Sequence, residues 1–121
     1  MTFPEIRFKY NDLEEAQSLT AIVEQKLSTL EKYLGGAGSA VCEVEFEKAA
    51  PQQHGQIYRV EVNLNIDGLL YRAEATEESF EKAIDEVKEE LDAEIRRAKD
   101  KQTTLDKEAG REMKEKMLTD E

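Results

Sequence analysis

The residues best placed to do chemistry are basic, and they gather late in the chain: Lys88, Arg96, Arg97, Lys99 and Lys101. On a helix, at about 100° per residue, positions 88, 92, 96 and 99 share a stripe, and position 92 is Asp. Two kinds of chemistry fit. Cations near a helix C-terminus complement the macrodipole, and Asp92 can pair with Lys88 and Arg96, which is purely structural. The same cations can instead offer several donors to adjacent phosphates, with Lys26 and Lys32 joining from a neighbouring helix.

Other chemistries lack their parts. One cysteine, Cys42, excludes an internal disulfide and a cysteine-based zinc site, and one histidine, His54, excludes a multi-histidine metal site. His54 falls in the polar loop around Pro51 with no partner motif, and Cys42 falls on the apolar side of an alternating segment, where a thiol is structural. With 28 Asp+Glu, a carboxylate pair carries no information, so Glu43, Glu45 and Glu47 read as a solvated strand face. No Gly-rich phosphate loop or nucleophile elbow is present. The expectation is no catalytic residue, no metal, no cofactor and no small-molecule substrate; the chain is not expected to be an enzyme.

Seventeen Lys+Arg against 28 Asp+Glu give a net charge of −11. That balance counts against a nucleic-acid partner unless the basic residues form a local field. The acidity is spread along the chain rather than appended, with 13 basic and 22 acidic residues up to Lys101 and 4 and 6 after it. No apolar run approaches the roughly 18 residues that span a bilayer, and the N-terminus lacks a basic segment followed by an apolar core. A cytoplasmic domain with no membrane contact is therefore expected.

The elements that must position these cations follow from periodicity. Ile6 to Tyr10 alternates apolar and charged, as a half-buried strand does. Asn11 to Glu15 then offers cap residues and early negative charge for a helix. Leu19, Val23, Leu27, Leu30 and Leu34 make one apolar stripe of about five turns, stopped by Gly35-Gly36. Cys42, Val44 and Phe46 alternate with glutamates, and Tyr58 to Ile66 is the cleanest strand. Asp67-Gly68 is a two-residue hairpin signal returning through Leu69 to Ala75. Thr76 is the expected N-cap of a second helix, striped by Phe80, Ile84, Val87, Leu91 and Ile95 and fading near Lys101. The expected fold class is α+β, a two-layer sandwich in the order β-α-β-β-β-α, with a four-stranded mixed sheet carrying both helices on one face. Residues 1–101 form the expected domain and 102–121 a flexible C-terminal tail, in which Met113, Met117 and Leu118 are the main apolar residues.

Three motifs in this order carry a resemblance. Val23-Glu24-Gln25-Lys26-Leu27-Ser28-Thr29-Leu30-Glu31-Lys32-Tyr33 resembles the first-helix signature of the ribosome hibernation-promoting factor / ribosome-associated inhibitor A (protein Y) family. Ala73-Glu74-Ala75-Thr76-Glu77-Glu78-Ser79-Phe80-Glu81-Lys82-Ala83-Ile84-Asp85 is similar to that family's fourth strand and second-helix start, and Arg96-Arg97-Ala98-Lys99-Asp100-Lys101 to its basic helix end. The chain looks like a short member, without the extra C-terminal domain of the long ones. The resemblance implies a ribosome-binding translation inhibitor, a monomer off the ribosome, that occupies the small-subunit decoding channel at the tRNA and mRNA sites. It would contact 16S rRNA and stabilise idle 70S ribosomes under stress or in stationary phase. By the same resemblance, Lys26, Lys32, Lys82, Lys88, Arg96, Arg97, Lys99 and Lys101 would bind rRNA. Glu90 and Ala93 stand where the family usually has basic residues, and the alternative is a divergent acidic member acting as a protein-protein interaction module without rRNA binding.

Overall fold

The alternating segments become strands. β1 (Ile6–Asn11) pairs in parallel with β2 (Ala40–Lys48), Ile6 against Cys42 and Tyr10 against Phe46. β2 pairs antiparallel with β3 (Tyr58–Ile66), and β3 with β4 (Leu69–Glu77), so the four-stranded sheet runs in the order β1-β2-β3-β4. The parallel pair requires a crossover, which α1 (Gln17–Leu27) and a 3-10 segment (Ser28–Tyr33) supply. α2 (Phe80–Thr119) follows β4. This computed structural model describes residues 2–11, 13, 17–49 and 55–119, without the side chains of 112–119. His54, Asp12, Glu14 and Glu15 lie outside the described residues, as do the side chains of Met113, Met117 and Leu118.

Both helical segments bury their stripes on one face of the sheet. Val23, Leu27 and Leu30 meet Val87, Leu91 and Ile95 above β2 and β3, all at 1% exposure or less. Phe46 is a hub of this layer: its ring lies 5.5 Å from Tyr10 and 5.5 Å from Phe80, the latter edge-on. Cys42 is buried in the same layer, and burial pushes its thiol up to about 12, as suits a structural residue. The two-layer α+β class and the element order are those the periodicity implies.

The Asp67-Gly68 turn has φ of +52° and +87°, the left-handed pair that a type I′ hairpin demands. Asp67 also ties this hairpin to the opposite end of the crossover. Its Oδ1 accepts from the amides of Gly38 and Ser39, each at 2.8 Å.

Three details depart from the sequence reading. First, the predicted single helix ending at Gly35 is α-helical only to Leu27 and tightens to 3-10 from Ser28. The hydroxyls of Ser28 and Thr29 donate to the Gln25 and Lys26 carbonyls, at 2.6 and 2.8 Å, and compete with the α-helical ladder. Leu30 stays on the buried face because three residues make one 3-10 turn from Leu27. Second, the N-cap of α2 is Ser79, not Thr76. Ser79 Oγ accepts from the Lys82 amide at 3.2 Å, while Thr76 continues β4 opposite Arg59. Third, α2 does not end near Lys101 but runs to Thr119. Strong helix formers dominate the extra stretch, in which Gly110 is the weakest residue. Residues 101–111 are all exposed.

Candidate functional site

The open face of the sheet carries the alternate residues of every strand, and their charges neutralise one another. Arg59 is the centre. Its guanidinium reaches Glu61 at 2.6 Å, Glu74 at 2.5 Å, Glu47 at 3.3 Å and Glu45 at 3.7 Å, and Arg72 adds a second bond to Glu61 at 2.9 Å. Burial works to raise the Glu61 carboxyl, but Arg59, Asn63 and Arg72 outweigh it and hold it below the ordinary range. Arg59 itself is held above its usual value, first by Glu74 and then by Glu61. With three of its five donors bonded to Glu47, Glu61 and Glu74, and its charge shared among four carboxylates, Arg59 is committed to the sheet rather than to a ligand.

The helix layer differs. α1 and its 3-10 extension lie beside α2, joined by a Lys26–Asp85 ion pair and by Tyr33, whose hydroxyl donates to Asp92 Oδ1 at 2.5 Å. These contacts fix which side of α2 looks toward α1: the side holding Asp85, Lys88, Asp92, Arg96 and Lys99. Lys26 and Lys32 line the opposite bank. The result is a groove with five cations, Lys26, Lys32, Lys88, Arg96 and Lys99. Lys88 is half-buried, and Arg96 and Lys99 are exposed.

Two carboxylates, Asp85 and Asp92, form ion pairs with these cations, and Asp100 is close enough to act on Tyr33 through its field. Asp92 lies 3.8 Å from Lys32 and 3.4 Å from Arg96 Nε, while Lys88 and Lys99 form no ion pair among the described residues. The Tyr33 hydrogen bond holds the Asp92 carboxyl below the usual carboxylate range, helped by Arg96, Lys32 and Lys88 and opposed by partial burial. Tyr33 is raised in turn, first by burial and then by its bond to the charged Asp92. Lys32 Nζ also sits 5.2 Å from the centre of the Tyr33 ring.

Not every basic residue singled out from the sequence joins this groove. Arg97 and Lys101 project from α2 about 160° around the helix from Lys99. Lys82, in the first turn of α2, pairs with Glu78 at 3.2 Å. Asp92 was expected to pair with Lys88 and Arg96; it pairs with Arg96 and with Lys32, and Lys88 acts on it only through its field. Tyr33 and Asp85 carried no signal in the sequence as groove residues, because their partners lie 59 positions away.

About 120° around α2 from Asp92, Glu86 faces Glu77, Glu89 and Glu90. A hydrogen bond that the protonated Glu86 carboxyl can donate to Glu77, slight desolvation and these like charges hold it above the ordinary range. The molecule is thus cationic in one groove and acidic beside it.

The surface concavities hold no catalytic arrangement among the described residues. One of about 320 Å³ contains Ser28 and Glu31, but Ser28 donates to the Gln25 carbonyl and Glu31 accepts the Phe3 amide at 2.8 Å. No group of three His, Cys, Asp or Glu among the described residues could hold a metal ion, and no described helix is long and apolar enough to cross a membrane. What the groove can do is present several donors to a chain of phosphates.

Residues 6–103 match the family described as sigma 54 modulation protein / S30EA ribosomal protein. The matched span takes in the whole sheet and both groove helices and stops inside α2. Among solved structures, the chain is similar to the N-terminal domain of protein Y from Thermus thermophilus, at 24% identity and a TM-score of 0.65, over 78% of this chain and 98% of that one. It is also similar to a ribosomal subunit interface protein from Coxiella burnetii, at 16% identity and a TM-score of 0.64, over 78% of this chain and 96% of that one. At these identities the structural likeness speaks for the fold alone. No curated protein sequence matches the chain.

Proposed function

The chain belongs to the sigma 54 modulation protein / S30EA ribosomal protein family, the one its three motifs resemble, and on that premise we propose that it is a ribosome-binding translation inhibitor. It occupies the decoding channel of the small subunit, where tRNA and mRNA would bind, and stabilises idle 70S ribosomes under stress or in stationary phase. The observation that carries this reading is the family match over residues 6–103, which covers both helices of the cationic groove.

The groove supplies the physical means. Lys26, Lys32, Lys88, Arg96 and Lys99 face one way and can track the phosphates of 16S rRNA, with Lys82, Arg97 and Lys101 adding contacts on other sides of α2. The net charge of −11 does not forbid this, because fields from distant carboxylates are screened beyond about 8 Å at physiological salt. Function by occupancy needs no turnover, cofactor or metal, and the protein acts in the cytoplasm as a monomer until it meets a ribosome.

The test is co-sedimentation with 30S subunits and 70S ribosomes at low and moderate salt, with tRNA and mRNA as competitors. Pelleting that weakens steeply with salt and is displaced by tRNA is the expected result. A protein that stays in the supernatant at every salt concentration overturns the reading. One observation favours the alternative of a protein-protein interaction module: the acidic side of α2, where Glu77, Glu86, Glu89 and Glu90 repel one another and would be relieved by a basic partner.

A further inference from the structure

The cationic groove carries its own anion. Both oxygens of Asp92 point at groove cations, Oδ1 at Lys32 and Oδ2 at Arg96, and Tyr33 fixes the carboxylate from below through Oδ1. A carboxylate held this way cannot swing aside when another anion approaches. Its side chain is 24% exposed, so its charge is felt at the groove surface. Asp85 repeats the arrangement one step along, against Lys26. Three of the five groove cations therefore already face a carboxylate, and Lys88 and Lys99 do not.

We propose that Asp92, seconded by Asp85, is an internal counter-ion that stands in for a phosphate in the α1–α2 groove and holds down its affinity for polyanions. The architecture does not need the charge. Asparagine has the same shape, and its carbonyl oxygen can still accept the Tyr33 hydroxyl. The acceptor is structural, and the negative charge is the tuning element. In a polyanion complex each phosphate that neutralises Lys32 or Arg96 must do so beside a fixed like charge, which costs affinity. The opposite possibility is that Asp92 is a positioning residue, aligning Lys32 and Arg96 for phosphate. The two make opposite forecasts for one substitution.

The experiment compares wild type with Asp92→Asn and Asp85→Asn. The probes are a fluorescent single-stranded oligouridylate, with anisotropy followed over a salt series, and elution from immobilised heparin. Asp92→Asn should bind the oligouridylate about tenfold tighter at low salt, the scale of one charge at this range in partly screened solvent. The logarithmic salt dependence should steepen by about one, for the cation set free. Asp85→Asn should shift in the same direction by less, since its carboxylate is more exposed than that of Asp92, and it decides the matter if Asp92→Asn does not fold. Tyr33→Phe, which keeps the charge, should give no gain. Unchanged or weaker binding by the folded variants overturns the inference, and weaker binding assigns Asp92 the positioning role. The ribosomal arm of the inference rests on the function proposed above, and co-sedimentation separates the two. If no protein pellets while heparin retention rises in the variants, the ribosome reading fails and the counter-ion stands. If wild type pellets and neither variant gains on any probe, the reverse holds.

Discussion

Tyr33 and Asp92 are 59 residues apart in sequence and share a 2.5 Å hydrogen bond, which clamps the end of the crossover to the middle of α2. The clamp joins the two banks of the cationic groove, so its strength sets how firmly Lys32 stands opposite Arg96. It also couples the groove to pH, because the acceptor is a carboxylate held below its ordinary range.

Removing the donor in Tyr33→Phe should cost about 1.5–3 kcal/mol at neutral pH, the usual worth of a bond to a charged acceptor. Asp92 titrates lower when folded than when unfolded. Its contribution is therefore present above the unfolded carboxylate range and lost as pH falls through the folded value. The stability gap between wild type and Tyr33→Phe should then narrow on going from pH 7 to pH 3, as read by urea unfolding at each pH. A gap that stays constant would place the cost in packing of the ring, not in the bond.

Arg59 offers the complementary case on the other side of the sheet. It is the cation shared by Glu45, Glu47, Glu61 and Glu74, and its side chain is 20% exposed. Arg59→Ala leaves four carboxylates crowded on adjacent strands without it, and should cost about 2–3 kcal/mol at pH 7, near the low end for breaking a buried pair. Arg59→Lys should recover less than half of that, because an ammonium lacks the planar fork that serves several acceptors at once. Because Glu61 titrates below its ordinary range, the penalty should shrink as pH falls and the carboxylates protonate. Denaturation midpoints of the three proteins at pH 7 and pH 4 check both statements.

Truncation after Lys101 tests how much the projecting part of α2 matters to the body. Residues 101–111 are exposed, and an isolated helix of this length is marginal in water, so the projecting part of α2 should fray and add little to the stability of the body. The truncated protein should melt within a few degrees of the full chain, as a loss under about 1 kcal/mol implies for a domain this size. A drop of ten degrees or more by calorimetry would show that the segment docks on the body.

The sequence was informative wherever a period was enough. Leu27, Val87 and Leu91 announce their burial by spacing, and Asp67-Gly68 announces its turn by chemistry. It was silent where one element's behaviour depends on another. The 3-10 segment arises from the hydroxyls of Ser28 and Thr29 turning back on the helix, which a leucine stripe does not reveal. Thr76 and Ser79 are both good caps, and the choice between them was made by the pairing of Thr76 with Arg59 across β3 and β4. The basic residues show the same limit. Their positions on the α2 wheel were legible, but which side met α1 was not, and that side decides that Arg96 and Lys99 share a groove while Arg97 and Lys101 do not.

That division gives the sharpest test of the proposed interface. Arg96 stands in the groove against Asp92, and its neighbour Arg97 projects about 100° further around the helix, clear of the groove. Both are exposed, so charge reversal at either should leave the circular dichroism spectrum and melting temperature nearly unchanged. If phosphates lie along the groove, Arg96→Glu removes a cation and installs an anion beside Asp92, and ribosome co-sedimentation should fall at least tenfold, about the cost of reversing one charge among close phosphates. Arg97→Glu, which points about 100° away from Arg96 and out of the groove, should lose about threefold or less. Lys99→Glu should follow Arg96, and Lys101→Glu should follow Arg97. Reversing Glu45 and Glu61 to Lys on the open sheet face should leave ribosome binding intact wherever the double variant still folds. If Arg97→Glu and Lys101→Glu are the damaging pair, the rRNA surface lies on the far side of α2, and the groove between the helices is only a structural seam.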